Sequence, residues 1–231
     1  MPYQVRTFPA YPTPVHFTVA HDVDSAALTR IVYALRDSGH MLKGEGSAGD
    51  QTLGEFSAIP HPAVHKLIHA FLELVAFAAA EPIHVLSIRS WANISRPDDE
   101  KVNSHPHNHH PYHWSGVFYP KVPSFTGPGH GQLLLLDPRE MFGRYAEPPL
   151  GLTPETGTLV VFPSWLKHNV ANFYGTREDR LSISLNAIIG PAPGSTFTLP
   201  PHRVRIRSGA SPADPASQEP NPNAPVEYPY R

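Results

Sequence analysis

The hydrophobic period of this chain changes near residue 82, and that change restricts its fold more than any other feature. Before it, apolar residues recur at helical spacing. Asp24 or Ser25 can cap a first helix, Leu28, Ile31, Val32 and Leu35 share one face, and Gly39 can end it. A second helix is expected over 62–80, with Pro62 in its first turn and Val64, Leu67, Ile68, Phe71 and Val75 as the buried stripe. Glu81-Pro82 stops it. Beyond Pro82 the pattern alternates and is rich in β-formers. Strands are expected over 83–94, 114–119, 132–136, 158–162 and 180–189, separated by Gly and Pro at 123, 127–129, 148–149, 151 and 157. Two helices followed by many short strands define an α+β fold, with the helices packed outside an antiparallel jelly-roll core.

A chain of 231 residues can bury roughly 70% of the surface its unfolded form exposes, so one domain over 1–207 is expected. A last edge strand is placed at 200–207. From Ser208 onward large apolar residues are scarce, and 208–231 reads as a disordered, Pro-rich tail: ten of the 28 prolines fall between Pro191 and Arg231. A net charge of −2 argues against nucleic acid or anionic membrane as a partner. The apolar stretch at 71–80 is too short and interrupted to span a bilayer, and the first residues lack an apolar core, so a cytoplasmic location is expected.

Cysteine is absent, so any metal must be held by imidazole and oxygen. Five of the fifteen histidines lie in nine residues, His105-Pro-His-Asn-His-His-Pro-Tyr-His113, immediately before a strand. Alternate residues of a strand point the same way, so an H-x-H pair offers two imidazoles to one ion. His107 and His109 satisfy the spacing, as do His105 and His107. A distant third ligand, His168 in Phe162-Pro-Ser-Trp-Leu-Lys-His168, would leave the opposite coordination positions open, as in a non-haem iron facial triad. The other histidines stand alone and read as surface or core. Twelve residues after His168 comes Arg180-Leu-Ser182. The Arg fork fits a carboxylate, and the Ser182 hydroxyl faces the same way along the strand.

These pieces resemble a bacterial family of 2-oxoglutarate–Fe(II) dioxygenases with a double-stranded β-helix core. The resemblance is carried, in order, by Phe8-Pro-Ala-Tyr-Pro-Thr-Pro-Val15, Trp91-Ala-Asn-Ile-Ser-Arg-Pro97, Ser115-Gly-Val-Phe-Tyr119, Asp137-Pro-Arg139, Phe162-Pro-Ser-Trp-Leu-Lys-His168 and Arg180-Leu-Ser-Ile-Ser-Leu-Asn186. In that family the second histidine of the pair lies six residues before the Ser of Ser-Gly-Val, which selects His107 and His109. An insertion of about three residues after Arg96, relative to the family's spacing, keeps His105/His107 open. The family resemblance implies Fe(II) on His107, His109 and His168, and 2-oxoglutarate held through its far carboxylate by Arg180 and Ser182. Tyr119 and Asn93 are placed beside the co-substrate, with Trp91 and Trp114 as further lining.

No H-x-D or H-x-E occurs, so a carboxylate ligand could come from Asp98, Asp99 or Asp137, or the site could use three histidines, or two histidines with water. Halogenation through an open coordination position is a further variant. The implied reaction is O₂-dependent hydroxylation of a small-molecule substrate with release of succinate and CO₂. Arg139 is a candidate for a substrate carboxylate, segments 40–60 and 120–150 for the lid, and a homodimer is compatible with the chain. Two other readings stand beside it: a cupin-like three-His dioxygenase that does without 2-oxoglutarate, and a non-catalytic binding module.

Overall fold

The structure, a computed structural model, describes residues 13–43, 49–80, 83–97, 105–124, 129–138, 148–171 and 176–191. The expected tail, the edge strand at 200–207, the Glu81-Pro82 stop, Asp98, Asp99, Arg139 and parts of the two lid segments lie outside these residues. In chain order the elements are β1 (His16–Val19), α1 (Ser25–Asp37), β2 (Met41–Lys43), β3 (Asp50–Thr52), a 3₁₀ turn (Phe56–Ala58), α2 (Pro62–Ala79) and β4 (Ile83–Ser95). They continue with β5 (Trp114–Lys121), β6 (Leu133–Leu135), β7 (Leu150–Leu152), β8 (Thr158–Pro163), β9 (His168–Val170) and β10 (Arg180–Pro191). Asp24 caps α1, its carboxylate accepting from the Ala27 N–H at 2.8 Å, and Pro62 opens α2 where its missing N–H costs nothing.

Among the described residues the strands form a seven-stranded sheet, β1-β8-β5-β10-β4-β3-β2, and a three-stranded sheet, β7-β6-β9. An isolated antiparallel bridge adds His107 beside His168, next to β9. From β4 onward the chain therefore passes repeatedly between the sheets: β4 in the first, the His107 bridge in the second, β5 in the first, β6 and β7 in the second, then β8, β9 and β10 alternately. That winding is a jelly roll, as the strand pattern implies.

The period of two sorts the side chains of the large sheet onto two faces with different chemistry. On β10, Leu181, Ile183, Leu185 and Ala187 are fully buried under the helices, together with Val64, Leu67, Phe71 and Val75 of α2. Arg180, Ser182, Ser184 and Asn186 point the other way, between the sheets. Burial of a Leu, Ile or Phe side chain contributes about 1.5–3 kcal/mol, so the helix-covered layer supplies most of the stability. By length and mean hydropathy (1.3 over 18 residues) α2 could cross a membrane, which the shorter apolar stretch at 71–80 did not suggest; here its apolar stripe is spent against the sheet.

Gly116 of β5 lies under α2. A Cβ there would sit 2.7 and 2.8 Å from two ring carbons of Phe71, itself fully buried and unable to move aside. Gly116→Ala is expected to destabilise the protein by about 1–3 kcal/mol through overpacking. Thermal unfolding measures it, and an unchanged Tm would mean that α2 can slide on the sheet.

Candidate active site

His107, His109 and His168 come together: one ring nitrogen from each lies within 4.8 Å of the other two. The ring centroids are 4.5–5.1 Å apart. The H-x-H segment is not a regular strand, contrary to the spacing argument. His107 is fixed by main-chain bonds with His168 in both directions (3.0 and 2.9 Å), and His109 by donation of its N–H to the Ser164 carbonyl at 2.9 Å. Two separate anchors, rather than a continuous ladder, aim the pair. The His107 ring packs beside His109 edge-on, and Trp91 stacks edge-on against His109 at 5.4 Å.

Hydrogen bonds select the tautomers. His168 Nδ1 lies 3.0 Å from the Leu166 carbonyl, and His107 Nδ1 lies 2.9 Å from the His105 carbonyl. A carbonyl can only accept, so each Nδ1 carries a proton, and in the neutral ring Nε2 is then the nitrogen with the free lone pair. His105 thus enters through its backbone oxygen. Its exposed ring is outside the cluster, and so is every described carboxylate, Asp137 included.

Burial lowers the pKa of His109 to about 3, with the neighbouring imidazoles of His168 and His107 and the charge of Arg89 adding to it; burial lowers that of His168 to about 4. Both rings are therefore neutral, ligand-ready bases at physiological pH. In the unfolded chain they titrate near 6.5 (roughly), so below that pH the unfolded state takes up protons that the folded state refuses. Stability is expected to fall as the pH drops from about 6.5 toward 4. Denaturant midpoints for the metal-free protein measure this, and His168→Ala should flatten the slope.

The three rings open into a cavity of about 380 Å³ between the sheets. Its lining includes Arg180, Ser182, Asn93, Trp91 and Tyr119, five of the residues singled out above; Trp114 instead packs on the helix-covered face. Antiparallel register sets Arg180 opposite Ser95, Ser182 opposite Asn93 and Ser184 opposite Trp91. Arg180 is 2% exposed, with its guanidinium 4.8 Å over the Tyr119 ring. Its Nε and the Tyr119 hydroxyl lack hydrogen-bond partners, and among the described residues no carboxylate pairs with Arg180. Burial lowers the Arg180 pKa and raises that of Tyr119. A buried, uncompensated cation costs several kcal/mol (roughly) unless an anion joins it.

Among the lining residues that escaped the sequence reading are Ser184 and Gln51. Ser184 was legible in principle, being two residues beyond Ser182 on one strand face. Gln51 was not, because β3 is three residues long and carries no period. The ion pair Arg89–Glu55 (3.6 Å) also lies near His109 without any local motif to announce it.

Comparison with solved structures gives the class of fold. A Pseudomonas putida prolyl-4-hydroxylase matches with a TM-score of 0.58 at 16% identity, covering 76% of this chain and 92% of its own. The non-haem α-ketoglutarate-dependent epimerase SnoN from nogalamycin biosynthesis matches at 0.59 and 15%, covering 94% and 92%. HygX from Streptomyces hygroscopicus, solved with nickel and 2-oxoglutarate bound, matches at 0.57 and 10%, covering 78% and 84%. At these identities the likeness is one of fold. Residues 89–186 match the family described as "Putative 2OG-Fe(II) oxygenase", a stretch that contains the three histidines, Arg180 and Ser182. A search of curated protein sequences found no match.

Proposed function

We propose that this chain is a non-haem Fe(II), 2-oxoglutarate-dependent oxygenase that hydroxylates a small organic molecule. One observation carries the reading: a single cavity holds three convergent imidazoles and a buried arginine with no carboxylate partner among the described residues. The donor set fits the metal, since neutral imidazole nitrogens suit iron and its first-row neighbours. The arginine fits the co-substrate, whose far carboxylate would supply the missing counter-charge.

His107, His109 and His168 would hold the metal. When bound, Fe(II) with 2-oxoglutarate and O₂ oxidises a substrate C–H to C–OH by two electrons, the second oxygen atom leaving in succinate with release of CO₂. The chain's own part is placement. Arg180 pairs with the far carboxylate of the co-substrate, Ser182 and Tyr119 offer hydroxyls to it, and Asn93 adds an amide from the facing strand. Phe162, packed 4.9 Å from the His168 ring, keeps water from that side. Trp91, against His109, lines the same cavity.

Anaerobic titration of metal-free protein with Fe(II), then 2-oxoglutarate, tests the reading. The expected result is the weak visible charge-transfer band of the chelate, followed by succinate release in air. Bound Fe(II) without that band would overturn it. Among the described residues no carboxylate joins the three-imidazole cluster, which favours a second reading, a dioxygenase that uses no 2-oxoglutarate. O₂ consumption without succinate would select that alternative.

A further inference from the structure

Ser115, Ser164 and Asn186 belong to β5, to the turn after β8 and to β10, and are 1%, 0% and 2% exposed. Ser115 Oγ donates to Asn186 Oδ1 at 2.7 Å and lies 2.8 Å from Ser164 Oγ. A hydroxyl has one proton. Ser115 gives its own to the amide oxygen, so Ser164 must donate to Ser115, and the chain runs one way: Ser164, Ser115, Asn186.

The main chain of Ser164 is tied as firmly. Its carbonyl accepts the His109 N–H at 2.9 Å, and its N–H donates to the His113 carbonyl at 3.0 Å. The His113 N–H donates in turn to Ala187, next to Asn186. Four residues past Ser164 is His168, with the Leu166 carbonyl between them fixing its ring. His109 lies outside every strand, so no ladder holds it. Its carbonyl accepts the Tyr112 N–H within the same turn, and the bond that ties it to the sheets is the one to Ser164, which is itself tied to β5 and β10.

We propose that Ser164, Ser115 and Asn186 are positioning residues that set the separation of His109 from His168, and through it the affinity of the three-imidazole centre for a divalent metal. The proposal rests on the metal-centre part of the function proposed above. It also gives the Ser-Gly-Val, Phe-Pro-Ser-Trp and Ser-Leu-Asn segments one shared role: each contributes one link.

The test is anaerobic Co(II) titration of the full chain, followed by the d–d absorption of the bound ion, for wild type, Ser164→Ala and Ser90→Ala. Ser164→Ala orphans no donor, because Ser115 still donates to Asn186, so the fold should survive. It is expected to weaken Co(II) binding about 10–100-fold, the usual effect of losing an outer hydrogen bond, and to alter the band shape. Ser90 is the control: 1% exposed, its hydroxyl accepts the Ser57 N–H at 2.7 Å on the helix-covered side. Ser90→Ala should lower Tm while keeping affinity within about twofold. Ser115→Ala breaks the same chain at its middle and is read the same way if Ser164→Ala proves insoluble. Wild-type affinity and spectrum in the relay variants, or equal weakening in the Ser90 control, would overturn the proposal alone. Wild-type protein that takes up no Co(II) would overturn the metal centre and the relay together.

Discussion

Substituting His168 with alanine is expected to abolish Fe(II) binding at micromolar metal and, with it, all turnover. Losing one of three ligands removes more than an outer hydrogen bond does, so the fall in affinity should exceed the 10–100-fold (roughly) typical of that lesser change and reach about a thousandfold. The fold should persist. The main-chain bridge between His107 and His168 uses only backbone groups and survives the truncation. The measurement is metal content and affinity of the folded variant, with circular dichroism as the check on structure. His105→Ala, run beside it, separates the two H-x-H pairings. With its ring exposed and outside the cluster, His105→Ala should bind metal as the wild type does. Wild-type affinity in His168→Ala would refute the three-histidine centre.

The second large effect belongs to Arg180. In Arg180→Met the concentration of 2-oxoglutarate needed for half-saturation is expected to rise by about 10²–10³, since removing one partner of a buried charge pair costs roughly 2–5 kcal/mol. Metal affinity should not change. Stability should hold or rise, because the variant removes a desolvated cation that has no carboxylate partner in the described residues and leaves an apolar chain in its place. Affinity and stability moving in opposite directions is the signature of an arginine kept for its ligand. Unchanged 2-oxoglutarate affinity would remove the argument for this co-substrate and leave the three-imidazole centre in search of another.

Both experiments target residues that were legible before any coordinates, and the reason is physical. Helices and long strands advertise themselves through period. Helices expected between Asp24 and Gly39 and over 62–80 are seen at Ser25–Asp37 and Pro62–Ala79. The strands expected over 83–94 and 180–189 differ from β4 and β10 by one or two residues at their ends. The five strands left out, β1, β2, β3, β7 and β9, are three or four residues long. No period can be read in so few residues; they are strands because a neighbour across the sheet pairs with them. The spacing of His107 and His109 was readable for the same reason that its explanation was not. Two residues apart on any extended segment gives two rings on one side, whereas the actual anchors, Ser164 and His168, are over fifty residues away in the chain. Arg180 and Ser182 could be placed on one face of a strand, but that Asn93 would stand opposite Ser182 depends on register, which a single strand does not encode.

The alternation along β10 has a consequence for how such a protein can change. Leu181, Ile183, Leu185 and Ala187 anchor the helix layer, and Arg180, Ser182 and Ser184 face the cavity. Selection for a new substrate can therefore draw on Ser184, Trp91 and Gln51 with little effect on melting temperature, while truncation of Leu181, Ile183 or Leu185 to alanine would cost about 2–5 kcal/mol each. A library confined to the cavity side of β4 and β10 should retain a high fraction of soluble members, each a trial of chemistry on an undisturbed scaffold. Divergence of function in this architecture is then a matter of parity: which side of a strand a mutation lands on decides whether it is tested as a catalyst or lost as a fold.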